Sequence, residues 1–426
     1  MKNNAPVKMP GRNKTILLAV ASALGAATSA NATVDFSPYV GAEIQHTSNL
    51  FSRPESLPPF AASGDDTLGD TIYQYFAGLN SAFLYGDQKF SVIAQGRRLE
   101  YDHFTLLDHT DYRGEVRYDW KLNSIVDGAL SVSRTRAMTP PADTLAAGLN
   151  LNTEQREEVL VRVLVTPRWR VDLNLVDRDS DSPLPDFPDF TLNEKSGMVS
   201  FNYLGFSKLT AGLRFQYIDG KYDGVATASD YTQKSVEGTA DYAVTSLSSF
   251  NGALGYTRRE SSADGGGITP QFGSTGATDS ITGSLGATRR LTGKTSVSAR
   301  LFRSINSFIG GPNPETDTGG EASVTWRPDV KLSFVLLYRQ MKSSIDGSSP
   351  SGVGTLTDRA DHVHAYSLEA VYEPGRHLTL RPYVRPGRAH VQLFGGRVQR
   401  YAIWAGAELA SSVVEIGVPR SLARRA

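Results

Sequence analysis

The chain has 426 residues, with 44 basic and 44 acidic side chains, 40 glycines, 18 tyrosines and no cysteine. This balanced charge excludes the basic surface of a nucleic-acid-binding protein, and the composition excludes a disordered or collagen-like chain. The lack of cysteine excludes a fold held by disulfide bonds.

Residues 1–32 have the features of a secretory signal peptide. A basic start that includes Arg12 and Lys14 precedes an apolar segment over residues 15–28, and Ala30-Asn31-Ala32 offers a cleavage site of small residues. A membrane anchor is the alternative interpretation, but the apolar segment is short for a helical span. We therefore expect an exported chain that begins near Thr33.

Beyond this leader, apolar and polar residues alternate in short segments. In the segment 111–120, Tyr112, Val116 and Trp120 fall on one side of an extended strand and Arg113 and Asp119 on the other, because successive side chains of a strand point to opposite faces. The same alternation predicts eighteen strands, over residues 36–46, 71–85, 89–99, 111–120, 128–133, 157–165, 169–176, 197–203, 209–217, 236–242, 250–256, 281–287, 297–301, 322–326, 332–338, 366–372, 378–384 and 401–409.

The lengths of the joins between these segments alternate as well. Short joins such as 86–88 and 166–168 alternate along the chain with long polar joins such as 49–69 and 138–153. Short turns at one edge and long loops at the other are typical of outer-membrane barrels. We therefore predict an all-β fold, a transmembrane antiparallel outer-membrane β-barrel of about 18 strands over residues 33–411, with 412–426 as the end of the last strand or a periplasmic tail.

Aromatic residues recur at the ends of the predicted strands. Tyr85, Trp120 and Trp326 precede short joins, whereas Tyr101 and Tyr256 lie near long joins. This pattern predicts two aromatic girdles at the membrane surfaces. It places the chain in the bacterial outer membrane, with membrane lipid and the barrel-insertion machinery as partners.

The polar face of the strands predicts the lining of the lumen and the candidate transport residues. Acidic and basic groups occur there in near-equal number, which suits a polar, weakly charged solute such as a glycan. The alternative is that each residue only solvates the wall. The candidates are Arg97, Arg113, Glu115, Arg117, Asp119, Arg162, Arg214, Glu237, Arg300, Arg339, Glu369 and Arg381.

Signals of catalysis or metal binding are weak. The sequence contains no Gly-x-Ser-x-Gly elbow, no His-Glu-x-x-His motif and no Walker loop. His362 and His364 have same-face spacing but share the parity of the lipid face, and the loop carboxylates Asp65, Asp66 and Asp70 suit a solvated loop better than a Ca²⁺ site. We expect no catalytic residue, no metal and no cofactor.

Several short motifs resemble one family of outer-membrane proteins. They include Pro38-Tyr39-Val40-Gly41, Asp70-Thr71-Ile72-Tyr73, Tyr85-Gly86-Asp87-Gln88, Trp120-Lys121-Leu122 and Trp326-Arg327-Pro328. Together they are similar to the β-barrel porin type 2 family, and within it to EpsL-like proteins of exopolysaccharide biosynthesis and export.

This resemblance implies a porin that gives exopolysaccharide a water-filled passage across the outer membrane. Its implied partners are the polysaccharide and the periplasmic and inner-membrane export proteins. Two alternatives stay open at this point: a membrane-embedded enzyme that modifies polysaccharide or lipid, and a structural or adhesive barrel.

Overall fold

The computed structural model describes residues 32–51, 68–139, 148–182, 190–223, 230–262, 276–307, 314–345, 359–374, 378–393, 401–403 and 406–417. The predicted signal peptide lies outside these ranges except for Ala32. The only helix in this part of the chain is a 3-10 turn at Thr105–Leu107, so it contains no helix that could span a membrane.

The strands are β1 Ala32–Thr47, β2 Asp70–Tyr85, β3 Gln88–Tyr101, β4 His109–Lys121, β5 Val126–Met138, β6 Leu151–Thr166, β7 Trp169–Ser182, β8 Phe190–Tyr203, β9 Leu209–Asp223, β10 Asp230–Thr245, β11 Ser248–Ser262, β12 Gly276–Arg290, β13 Thr295–Ser307, β14 Pro314–Asp329, β15 Leu332–Ile345, β16 Arg359–Tyr372, β17 Leu378–Leu393, β18 Tyr401–Ile403 and β19 Gly406–Gly417.

These strands form one closed antiparallel sheet. From β1 to β18 each strand pairs with its neighbours in sequence, and β19 pairs with β1 from Tyr39 opposite Gly417 to His46 opposite Leu409. The short β18 and the longer β19 both pair with β17, so the nineteen strands fill eighteen positions around the ring. Since β19 pairs with β17 on one side and with β1 on the other, the sheet closes into a ring, as a β-barrel in lipid requires.

The two faces of the sheet differ sharply in chemistry. Large apolar side chains such as Leu254, Ile281 and Leu301, each more than 60% exposed, lie on one face. On the other face, side chains from strands that are not neighbours meet: the Tyr231 hydroxyl of β10 donates to Glu194 of β8 at 2.7 Å. Side chains of strands that are not neighbours come this close only on the concave side of a curved sheet. The polar face is therefore the interior of the barrel.

The connections sort by length between the two ends of the barrel. The turn between β2 and β3 contains only Gly86 and Asp87, and Gly86 adopts the positive φ of 56° that tight hairpin turns need. The opposite end carries the longer connections, for example residues 48–69 between β1 and β2. We refer to these as the short-turn end and the long-loop end.

The closing seam accommodates a proline through an irregularity. Pro382 lies in β17, and the register of β17 against β19 shifts between Arg381 and Tyr383. A proline cannot donate to a ladder and is therefore placed at bulges or edges. The closing strand β19 continues to Gly417, so it includes part of the segment 412–426 that was expected to be the end of the last strand or a tail.

The aromatic residues follow the predicted pattern with one exception. Tyr85, Tyr118 and Trp326 lie on the outer face near the short-turn end, each more than a third exposed. Tyr101 is different, because it is 5% exposed and pairs with Ile72 on the inner face. Its assignment to the outer girdle was wrong, since it shares the parity of Arg97 and that parity points inward.

Candidate functional site: the inner wall of the barrel

The register places all twelve candidate transport residues on the inner face. Arg113 and Glu115 on β4 face inward opposite Gln95 and Ile93, and Arg214 on β9 faces Glu237 on β10. The remaining candidates share this parity through the pairings of their strands; they are Arg97, Arg117, Asp119, Arg162, Arg300, Arg339, Glu369 and Arg381.

Ion pairs on β3 and β4 neutralise the charges of the wall locally. The Arg97 guanidinium donates to Asp111 at 2.7 Å across the two strands. Along β4, Arg113 pairs with Glu115 at 3.0 Å and Arg117 with Asp119 at 2.8 Å. Charges spaced two residues apart on a strand lie on the same face, so the alternating sequence of β4 produces a ladder of pairs.

The inner face of β5 to β10 continues this charged wall. Arg162 of β6 donates to Asp127 of β5, and Arg214 of β9 donates to Glu237 of β10 at 3.2 Å. Further pairs join Arg156 with Glu158 and Arg170 with Asp172. The inner face of β3 to β10 is therefore highly charged but locally neutral.

A larger network lies toward the long-loop end of the charged wall. Arg178 of β7 donates to Glu154 at 2.7 Å and approaches Glu194 at 3.7 Å. Glu194 also accepts from Tyr231, and the Arg259 guanidinium stacks on the Tyr231 ring at 3.5 Å. The chain of contacts thus ties β6 to β11 on the inner side.

Sequence reasoning missed this network because the predicted strands ended too early. The strand 169–176 stopped before Arg178, whereas β7 continues to Ser182. Glu154 and Glu194 likewise lay in predicted loops but belong to β6 and β8. The alternation could have extended the strands, since all three residues keep the parity of the inner face.

Replacing Arg178 with alanine should lower the stability of the folded barrel. The substitution leaves Glu154 and Glu194 without their shared cation, and we expect a loss of about 1 kcal/mol, because wall pairs in contact with water gain only modest Coulomb energy. Urea unfolding in detergent micelles measures this loss. Arg156→Ala is the control, since among the described residues Arg156 forms an ion pair with Glu158 alone; an equal or larger loss for the control would contradict the bridging role of Arg178.

The inner face also carries an apolar cluster at the long-loop end, which we call the mouth cluster. It consists of Phe51, Ile72, Leu99, Tyr101 and Leu107, all 7% exposed or less. Ile72, Leu99 and Tyr101 belong to the inner faces of β2 and β3, so Phe51 and Leu107 pack inside the rim. Phe51 of the first long loop and Leu107 of the 3-10 turn therefore occupy part of the lumen at this end.

Asp70 fixes the backbone beside the mouth cluster through hydrogen bonds. Its carboxylate, 2% exposed, accepts backbone N–H groups of Thr71 at 2.6 Å, His103 at 3.0 Å and Phe104 at 2.9 Å. The expectation of a solvated loop carboxylate was wrong for Asp70, because the buried side chain satisfies the backbone of the 102–104 loop. Asp65 and Asp66 lie outside the described residues.

The histidine pair lies where its parity predicts. His362 and His364 belong to β16 and share the outer face with Tyr366, opposite Lys342, Gln340 and Tyr338 of β15. Within the described ranges no cluster of three or more potential metal ligands occurs.

Comparisons with known proteins match the fold alone. No family model and no curated protein matches the chain. Among solved structures, the apoprotein of the FrpB iron transporter from Neisseria meningitidis (F5-1 variant) is 11% identical with a TM-score of 0.51, over 85% of this chain and 63% of that one. The copper transporter OprC is 10% identical, TM-score 0.48, over 90% and 80%; the alcaligin outer membrane receptor FauA from Bordetella pertussis is 11% identical, TM-score 0.41, over 90% and 76%.

The chain is an outer-membrane β-barrel. The closed ring, the apolar outer face and the match in fold to FrpB confirm the predicted fold and its location in the outer membrane. The barrel spans less than two thirds of the length of the FrpB structures that it matches. The matched proteins are transporters and receptors rather than enzymes.

The resemblance to EpsL-like porins was wrong. The FrpB structure that matches the fold is named an iron transporter, and no family model, that of the porin family included, matches the chain. The predictions of exopolysaccharide export, of a polysaccharide cargo and of export partners were therefore also wrong. The motifs behind the resemblance, such as Tyr85 before the Gly86-Asp87 turn, are features that tight turns and aromatic girdles impose on barrels in general.

Proposed function

We propose that this barrel takes up a small ligand from outside the cell, and that the twelve candidate residues line its path. The observation that carries the proposal is the mouth cluster above the charged wall. Phe51 and Leu107 are packed against the inner wall at the rim, 2% and 1% exposed, so they narrow the lumen there. A narrowed lumen suits a small ligand that binds and then passes.

The charged wall below the mouth supports the same proposal. Its donors and acceptors are paired with one another, as Arg214 is with Glu237 and Arg113 with Glu115. A polar ligand can exchange such pairs for its own hydrogen bonds without leaving a charge unsatisfied, which keeps the cost of passage small. Similarity in fold to the FrpB iron transporter supports an inward direction and an iron complex as the first ligand to test.

The experiment is accumulation of radioactive iron in whole cells. Cells of a Gram-negative strain lacking this barrel receive iron-55 as ferric citrate, with or without the restored chain. We expect restoration to raise early accumulation several-fold and Arg214→Gln to reduce it. The control is Arg258→Gln, the same substitution at an outer-face residue that pairs with Glu260; equal accumulation with and without the chain would contradict uptake of the iron complex.

A further inference from the structure

Two guanidinium groups on the inner face of β13 and β15 lie against one phenyl ring. The Cζ of Arg300 is 5.6 Å and that of Arg339 is 5.9 Å from the centroid of the Phe302 ring. Both distances are within the range of a cation–π contact. The Phe302 ring thus contacts two guanidinium groups, one from each of the two strands that flank β14.

The neighbouring strand provides room for this ring. Gly319 of β14 pairs with Phe302 on one side and with Met341 on the other. A Cβ at Gly319 would approach the Phe302 Cζ to 3.1 Å and the Met341 Cα to 3.0 Å, so a larger residue would displace the ring or the backbone. The absence of a side chain at Gly319 lets the ring lie where both guanidiniums reach it.

The charge environment of these two arginines differs from that of the charged wall. Glu321 lies between them in register, opposite both Arg300 and Arg339. Yet among the described residues neither arginine forms an ion pair, and Arg339 donates to the Met341 sulfur at 3.4 Å. Most arginines of the charged wall, by contrast, have a carboxylate within 4 Å.

Arg300 and Arg339 place two positive charges near one ring, and neither charge has an ion-pair partner among the described residues. This arrangement favours the binding of an anion. The positive charges of the Arg300 and Arg339 guanidiniums, which lie near the same ring, repel each other. A bound oxyanion offsets that repulsion. Arginine presents planar sets of N–H donors that match the oxygens of carboxylate and phosphate groups. Both side chains are exposed to the lumen, so an entering solute can reach them.

We propose that Arg300, Phe302 and Arg339 form a binding site for the oxyanion group of a small solute, a carboxylate or a phosphate. The site deepens the proposed uptake function and rests on it only for the claim that the bound solute continues inward. Glu321 competes with the solute for the two guanidiniums and keeps the affinity low enough for release. Binding itself requires no transport.

Equilibrium dialysis of the full-length barrel in detergent micelles tests the site, with radiolabelled pyrophosphate as the probe at low ionic strength. We expect saturable binding that weakens about tenfold in Arg300→Gln and in Arg339→Gln, since each removes charged hydrogen bonds. Glu321→Gln should strengthen binding, because it removes the competing carboxylate. Arg258→Gln on the outer face should bind as the unchanged protein does.

Three outcomes would overturn the site: no saturable binding, equal loss in Arg258→Gln, or weaker binding in Glu321→Gln. The different electrophoretic mobility of folded and heated barrels shows that each variant is folded before dialysis. Carboxylate and phosphate sources are then separated by competition with benzoate and with inorganic phosphate. If the restored chain does not raise iron accumulation but still binds pyrophosphate, the uptake function is contradicted and the oxyanion site is not.

Discussion

Leu254→Arg should abolish assembly of the barrel, whereas Ala253→Arg, one residue earlier, should assemble. Leu254 lies near the middle of β11 on the outer face and is 69% exposed. Arginine at the membrane midplane on the lipid face costs about 2 to 4 kcal/mol. Ala253 faces the lumen opposite Thr239 and Ser284, where a charged side chain remains in water.

The measurement is the yield of heat-modifiable folded protein in isolated outer membranes. Both variants add the same charge to the same strand, so differences in synthesis or export affect them equally. Loss of Ala253→Arg with normal assembly of Leu254→Arg would show that the inner and outer faces are reversed. Since a shift of one residue exchanges the faces of a strand, this pair is a direct check of the register.

Asp70→Ala should loosen the rim at the long-loop end while leaving the barrel assembled. The substitution removes the acceptor of three backbone N–H groups, including those of His103 and Phe104. Hydrogen bonds to a charged partner contribute about 1.5 to 3 kcal/mol each at most, and the donors would be left in a buried site. Phe104 stacks edge-on against Phe51 at 4.7 Å, so the mouth cluster should open with the loop.

Hydrogen exchange of the His103 and Phe104 amides measures this loosening, and we expect it to accelerate at least tenfold by the free energies above. The control is Asp102→Ala in the same loop, because Asp102 is 59% exposed and only approaches His103 at 3.7 Å. Unchanged exchange in Asp70→Ala, or equal acceleration in Asp102→Ala, would contradict the role of Asp70.

Much of the fold could be predicted because the physics of a membrane strand is local. Alternation of apolar and polar residues places Val116 outside and Arg117 inside without knowledge of any distant contact. The strand ends were less predictable. The apolar pattern marks the part of a strand that crosses lipid, whereas β7 and β8 project beyond it with polar residues on both faces.

The features of the site that depend on distant contacts could not be predicted. Nothing local to Asp70 indicates that its carboxylate caps residues 103 and 104. The seating of Phe302 over Gly319 likewise depends on the pairing of β13 with β14. The ligand could not be predicted either, because mixed charge on the lumen face suits glycans and small ions alike.

Thiol labelling in intact cells tests the central claim, that the charged face lines a water-filled path. The chain has no cysteine of its own, so single cysteines at Ser298 and Ala253 on the inner face can be compared with Val297 and Leu254 on the outer face. We expect a small membrane-impermeant maleimide added outside the cells to label the two inner positions and not the two outer ones. Equal labelling of both sets, or labelling of the outer set alone, would contradict it.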